Sequence, residues 1–344
     1  MASYFIRRLL LVIPTFLGIT LVVFTITRIV PGGPIERIIS QARQMDQGTS
    51  GGSSGSQSAQ PDDSPLSPEQ IEDLKKFYGF DKPILISYFD WLTKVLRMDL
   101  GVSTRYYDPV WAIIKDKLPV SIYYGLVTTI LSYLICIPLG ILKAIKHKSF
   151  LDSSSSVLVL TGYALPGFIV AIILFVWPAA QWDWFPLGGF VGDDFEELTT
   201  SEQIWDVIHH SVLPMIAYML GSFATMTFLM KNTLMDHLAS DYVRTAIAKG
   251  LSFRGAVFKH AFRNSLIPLA THFGNNISLF LAGSFLIEKV FNIDGLGLLG
   301  FDSLVERDYP VVLGVLVISS ILGLLGNILS DLCVALVDPR VKFE

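Results

Sequence analysis

Charge is scarce in this chain: Asp, Glu, Lys and Arg make up 16% of its 344 residues, against roughly 25% in ordinary soluble domains. With 51% hydrophobic residues and a mean hydropathy of +0.53, so little charge reads as a membrane protein rather than a water-soluble globule. Cysteine is scarcer still, with Cys136 and Cys333 alone. Both lie in apolar runs and neither in a hydrophilic loop, which argues against an exported disulfide framework and for two buried thiols acting as small apolar residues. No Gly-Lys pair occurs anywhere, so the chain has no P-loop whose amides would cradle nucleotide phosphates. The six histidines form no HExxH pair, and no serine-hydrolase elbow joins a strand to a helix. Neither an enzyme nor a resident cofactor is expected.

What the sequence does hold is a set of long uncharged runs. Residues 118–142, 153–182, 208–230, 264–287 and 309–330 contain no Asp, Glu, Lys or Arg, and 9–30 contains only Arg28. A bilayer is crossed by about 20 apolar residues, so six transmembrane helices and an all-α membrane protein are predicted. The first run is too long for a removable signal peptide and lacks its small-residue cleavage site, so it is expected to be retained. The span centres carry no Asp, Glu, Lys or Arg, which removes support for a proton-coupled relay.

Lys and Arg set the orientation, because positive charge at a span end resists translocation. Arg7 and Arg8 precede the first run, Lys143, Lys146 and Lys148 follow the second, a basic segment lies between the fourth and fifth, and Arg340 and Lys342 follow the sixth. These four segments are assigned to the inside, with both termini cytoplasmic. The loop 181–210 holds Asp183, Asp193, Asp194, Glu196, Glu197, Glu202 and Asp206 with no Lys or Arg and is assigned to the outside, where four of its acids (193, 194, 196 and 197) offer a docking surface for a basic partner. The insertion 31–117 is external too. Within it the Gly/Ser/Pro tract 48–68 is predicted to be flexible, and two amphipathic helices follow, the first capped by Ser67 with Glu69 and Gln70 behind it, the two separated at Gly79 to Pro83.

Two stretches look like devices. "GYALPGF", Gly162 to Phe168, places Pro166 inside the third run and predicts a kink there. "SSILGLLGNILSD", Ser319 to Asp331, carries small residues that let helices approach closely. A third, "DYVRTAIAKGLSFRGAVFKHAFRNSLIP", Asp241 to Pro268, holds five basic residues against one acid in a chain of net charge −4. It reads as two short helices, with Ser240 or Asp241 as the first N-cap, Gly250 as the stop and Ser252 as the second N-cap. Both its ends run into spans within a few residues, so no nucleic acid is expected. A basic helix resting on anionic lipid is the bland alternative, and Lys231, just after the fourth run, is expected to matter little.

The spacing of that stretch resembles the cytoplasmic EAA-type loop of ABC importer permeases. "RTAIAKG", Arg244 to Gly250, is followed after nine residues by "HAFR", His260 to Arg263; only Ala246 and Gly250 match the general pattern strictly, and the departures resemble the variant of the dipeptide, oligopeptide and nickel permeases. "PGGP", "YGFDKPI", "DLGVS", "LPVSIYYGL", "FPLGG", "LIEKVFNIDGLGLLG", "RDYPVVLG" and "NILSDLCVALVDPRV" follow in that family's order, and the long Gly-rich insert and the tail "LVDPRVKFE" resemble its Yej-type branch, which imports oligopeptides and microcin C.

The resemblance implies a type I ABC importer permease fold over 1–344 as one domain, with the coupling loop at 231–263. It implies half of a translocation channel in the bacterial inner membrane, paired with a homologous permease, fed by a periplasmic substrate-binding protein with a peptide-like substrate, and driven by ABC ATPase subunits that use ATP and Mg outside this chain. Carried onto this sequence, the ATPase-coupling residues are Arg244, Thr245, Ala246, Ala248, Lys249, Gly250, Leu251 and Arg254. Tyr163, His272, Asn275 and Asn276 are candidates for the pathway by polarity within spans, and each is as well suited to bonding between helices. A secondary transporter or a membrane scaffold remains the alternative.

Overall fold

The structure is a computed structural model, and it describes residues 2–29, 39, 67–77, 81–281 and 283–338. Among these the chain is helical, with one isolated bridge between Val102 and Pro109 and no strand. Most of the Gly/Ser tract at 48–68 lies outside the described residues. Among the described residues four helices are long and apolar enough to cross a membrane: α1 (Ala2–Ile29), α4 (Val110–Ile145), α7 (Thr200–Leu238) and α14 (Tyr309–Val337). A fifth crossing is available if α5 (Phe150–Ala164) and α6 (Gly167–Leu174, continued by a π-helical turn to Gln181) count as one broken span. The run 264–287 is a 15-residue helix, α11 (Ile267–Leu281), followed by the separate α12 (Phe285–Val290).

The chain divides into two compact units. The first comprises Met1–Ile13, Lys117–Leu299 and Ile318–Glu344. Its apolar interior lies in two clusters. Tyr124, Ala171, Leu213, Ala217, Ile287 and Phe291 join α4, α6, α7 and α12. Ile141, Met230, Leu234, Val243, Val257 and Leu269 join the far ends of α4 and α7 to the basic stretch and to α11.

The kink expected at Pro166 is a full break, with α5 and α6 meeting at 98°. Leu165, the residue before proline, is extended at φ −91, ψ 129, as the proline ring requires of its predecessor. Pro166 then opens α6 as its N-cap residue. Gly167 permits the next contact, since a Cβ there would stand 3.1 Å from the Ala217 carbonyl oxygen of α7. The small residues of the last run behave as read: a Cβ on Gly274 of α11 would overlap the Gly326 carbonyl of α14, and Gly274 N–H donates to Ser330 Oγ at 2.7 Å.

The second unit comprises Pro14–Asp116 and Gly300–Val317. Its two amphipathic helices are α2 (Pro68–Phe77) and α3 (Ile84–Val95). The Ser67 cap is reciprocal: Ser67 N–H donates to Gln70 Oε1 at 2.8 Å and Gln70 N–H to Ser67 Oγ at 3.2 Å, the capping-box arrangement. Phe24, Tyr88, Leu92 and Leu313 form one buried apolar cluster of the unit. Asp308, fully buried, accepts from Ser103 Oγ at 2.5 Å and from the Thr104 and Arg105 amides, so "STR" and "RDYP" are tied across the sequence.

Candidate functional site

The basic stretch folds into two short helices joined by a closed turn. Helix α8 (Asp241–Ala248) has Ser240 at its N-cap and Gly250 beyond its end at φ +93. Gly250 N–H donates to the Ile247 carbonyl at 2.9 Å and Leu251 N–H to the Ala246 carbonyl at 3.2 Å, which is the Schellman pair of bonds with glycine in the left-handed position. Ser252 then caps α9 (Phe253–Ala256) by accepting from Gly255 N–H at 3.2 Å. A π-helical turn, Val257–Ala261, leads through α10 (Phe262–Ser265) to α11.

The pair has two faces. Val243, Ala256, Val257 and Ala261 are fully buried against Met230 and Leu234 of α7 and Ile141 of α4. On the other side Arg244, Thr245, Ala248, Lys249, Gly250 and Arg254 are exposed, while Ala246 and Leu251 are half-buried. Tyr242, Ile247, Phe253 and Phe258 are exposed among these cations, at 41% to 56%. A Cβ built on Gly250 meets nothing within 4 Å, so its surroundings in this chain are open. Polar bonds seat the pair from three directions: Tyr242 Oη pairs with His237 Nδ1 at 3.0 Å, Asn264 Nδ2 donates to Tyr242 Oη at 3.2 Å, and Arg263 Nε donates to the Val337 carbonyl at 2.9 Å.

Behind this element lies an ionic knot that the sequence reading did not recognise. Asp152, 4% exposed on the first turn of α5, receives Lys231 Nζ of α7 on both oxygens at 2.8 Å and Lys143 Nζ of α4 at 3.1 Å. Lys143 is completely buried and also donates to Ser155 Oγ, Ser156 Oγ and the Asp152 carbonyl, which replace its lost hydration. Burial alone would raise the Asp152 carboxyl, but the bonds from Lys231, from the Lys148 amide and from Lys143 prevail and hold it well below the usual carboxylate range. Lys231, expected from the sequence to matter little, is therefore a buried partner in this knot. The three charges sit directly outside the apolar runs 118–142, 153–182 and 208–230, so each looked like a span boundary.

A second buried carboxylate, Glu288 of α12, organises the opposite part of the same unit. It accepts from Tyr218 Oη of α7 at 3.0 Å and from Leu298 N–H at 2.6 Å. Gly283, Gly295 and Gly297 surround it so closely that a Cβ on any of them would reach its carboxylate oxygens. The glycines of "IDGLGLLG" thus make room for a charge; the alternation of Gly with apolar residues was the available signal.

The pathway candidates are scattered by comparison. Tyr163 is 56% exposed just before the α5–α6 break. His272 and Asn275 are exposed on α11. Asn276 is buried and its Nδ2 lies 3.3 Å from Met226 Sδ, a bond between helices. Cys136 is buried with Sγ 3.5 Å from the Phe223 carbonyl oxygen, and Cys333 is half-buried; both are free thiols.

Long apolar helices, one of them broken, and a folded basic element packed on their ends define a multi-span membrane protein. Residues 136–343 match the family model described as the binding-protein-dependent transport system inner membrane component, and the chain belongs to that family. It is 42% identical over 362 residues to the inner membrane ABC transporter permease protein YejB of Escherichia coli O157:H7, covering both chains in full. It is 42% identical to the peptidoglycan transport system permease protein YejB of Agrobacterium fabrum (100% and 99% covered) and 35% identical to the oligopeptide transport system permease protein AppB of Bacillus subtilis (both in full). Among solved structures, an inward-facing form of the MetNI methionine ABC transporter superposes with a TM-score of 0.52 at 15% identity, over 66% of this chain and 96% of that one. That likeness shows the type I importer permease fold and no more.

Proposed function

We propose that this chain is one half of the translocation channel of an ATP-driven importer of peptides or peptide-like compounds, of the oligopeptide and microcin C kind. It sits in the bacterial inner membrane with both termini cytoplasmic and pairs with a homologous permease. It takes cargo from a periplasmic binding protein and is worked by separate ABC ATPase subunits, which bring ATP and Mg. The observation that carries this reading is the two-faced helix pair. Its inner face is locked into the bundle by Val243, Val257 and Ala261, and its outer face offers cations and rings to a partner. Exposed Arg and aromatic groups in one patch are the composition of a protein-docking surface.

Arg244, Lys249, Gly250 and Arg254, with Thr245, Ala246, Ala248 and Leu251 beside them, meet the ATPase. The exposed acids Asp193, Asp194, Glu196 and Glu197 receive the binding protein by complementary charge. Tyr163, His272 and Asn275 face cargo. The relatives named above differ in what they carry, peptidoglycan in one and oligopeptide in another, and peptide-like cargo is the class these share.

The test is affinity purification of the tagged chain in mild detergent. A second permease and an ATPase should co-purify, and ATP-dependent peptide uptake should appear only in the reconstituted complex. Uptake by this chain alone, driven by an ion gradient, would replace the proposal with a secondary transporter.

A further inference from the structure

Within the second unit, α3 runs alongside α1. Tyr88 Oη donates to the Leu17 carbonyl at 3.1 Å and shares a bond with Thr20 Oγ1 at 2.9 Å, and the Trp91 ring lies 5.4 Å from that of Phe24. Further along in the same direction, Lys94 and Arg97 share the lining of a cavity of about 680 Å³ with Thr27 and Arg28 of α1 and with Tyr309. The apolar run of α1 ends at this level. A volume of this size is in the range of small-ligand sites.

The cavity's charge is lopsided. Arg28, Lys76, Lys82, Lys94 and Arg97 stand against Asp90 and Asp99. Asp90 is engaged by Lys82 at 2.6 Å and Asp99 by the Gly101 amide at 3.0 Å. Lys94 and Arg97 have no ion-pair partner among the described residues.

The apolar side of α3 continues this geometry. Leu85, Ile86 and Phe89 are 52% to 60% exposed, whereas Tyr88, Leu92 and Val95 are buried. At 100° per residue Leu85 and Phe89 fall on one side of α3 and Ile86 at its margin, Lys94 projects away from Leu85, and Arg97 lies in the turn just beyond the helix end. An exposed apolar strip therefore starts beside the interior of a membrane-spanning helix, and unpaired cations follow where that helix leaves its apolar stretch. Acyl chains and a phosphate are arranged in that order in a phospholipid, and an interfacial helix with one apolar and one basic side binds such a molecule.

We infer that this cavity holds the phosphate headgroup of an anionic phospholipid, with Lys94 and Arg97 as its main cationic contacts and Leu85, Ile86 and Phe89 along the chains. The inference does not depend on the cargo or the ATPase partner.

The experiment uses the full chain purified from nanodiscs that mix phosphatidylcholine with phosphatidylglycerol, and counts lipid retained after gel filtration by mass spectrometry. Wild type should retain phosphatidylglycerol in preference to phosphatidylcholine. Lys94→Ala with Arg97→Ala should weaken retention at least about tenfold, since each cation near a membrane surface contributes about fivefold in affinity. Lys94→Arg with Arg97→Lys should keep it, as should Lys115→Ala, an exposed cation of the same unit that does not line the cavity. Phe89→Ser should lower retention of the lipid. Equal retention by wild type and the double alanine variant, or no preference for the anionic lipid, overturns the inference. Displacement of the lipid by millimolar inorganic phosphate, with Phe89→Ser without effect, would overturn it in favour of a free phosphoanion site.

Discussion

Lys231 Nζ lies 2.8 Å from each carboxylate oxygen of Asp152, across 79 residues of sequence. The pair is buried, so removing one partner leaves a charge with too few bonds. Lys231→Ala should lower the thermal midpoint of the purified protein, corresponding to about 3 kcal/mol, while Lys231→Arg, which keeps the charge, should lose much less. Equal melting of wild type and Lys231→Ala in detergent would show that the remaining bonds, from Lys143 and the Lys148 amide, satisfy Asp152.

The same knot sets a pH dependence. A carboxyl whose folded value lies below its unfolded value, about 3.9, adds stability that is fully present above that unfolded value. The contribution is lost as pH falls through the folded value. The difference in melting between wild type and Asp152→Asn should therefore be constant from about pH 5 to 8 and shrink below about pH 4. A difference that faded between pH 6 and 8, or that stayed constant below pH 4, would show that the Asp152 carboxyl does not set the dependence.

Gly250 separates backbone strain from partner contact. Its φ of +93 makes any Cβ cost about 1 kcal/mol, but nothing in this chain obstructs the side chain. Gly250→Asn, which tolerates the left-handed region, should keep both membrane abundance and co-purification of the ATPase. Gly250→Glu should keep abundance and the partner permease but lose the ATPase or transport. Normal uptake by Gly250→Glu would mean that the pair rests on lipid and coupling runs elsewhere.

The α11–α14 crossing should be as intolerant as its glycines imply. Gly274→Ala would press a methyl group into the Gly326 carbonyl and should cost about 1–3 kcal/mol as overpacking. Gly323→Ala, on the same α14 with open space around it, should be neutral. Similar expression and melting for the two would show that the helices part easily.

Orientation is checked by reporters. Fusions after Lys148 and after Ser252 should read cytoplasmic and one at Thr199 external. A cytoplasmic signal at Thr199 would remove the acidic loop as a docking surface.

Much of this was legible because the signals are local. The capping box at Ser67, the Gly250 stop, the Ser252 cap and the Pro166 break each depend on a few adjacent residues, and each is present in the structure. The family resemblance was legible for a different reason, as many short motifs in one order. Partnered charges were not legible. Lys143, Asp152, Lys231, Glu288, Asp308 and Asp331 all flank uncharged runs and so read as the edges of spans. In the structure Asp331 holds Arg8 at 2.7 Å, Asp308 holds Ser103, and the rest form the two knots described above. Lys143 meets Asp152 across a break between two helices, and the other pairings span 70 to more than 300 residues, so none leaves a periodic trace. The extent of the 98° bend was hidden too, since Pro166 announces a break but not the direction that Gly167 and α7 impose.

Helix α7 carries both Tyr218, bonded to Glu288, and Lys231, bonded to Asp152. The two anchors are 13 positions apart in the sequence, roughly 20 Å along the axis at 1.5 Å per residue. A helix clamped at two such points has little freedom to slip, twist or stretch between them. If the basic pair is displaced, α7 would carry the shift toward the glycine-walled turn around Glu288 as one body, as along a connecting rod.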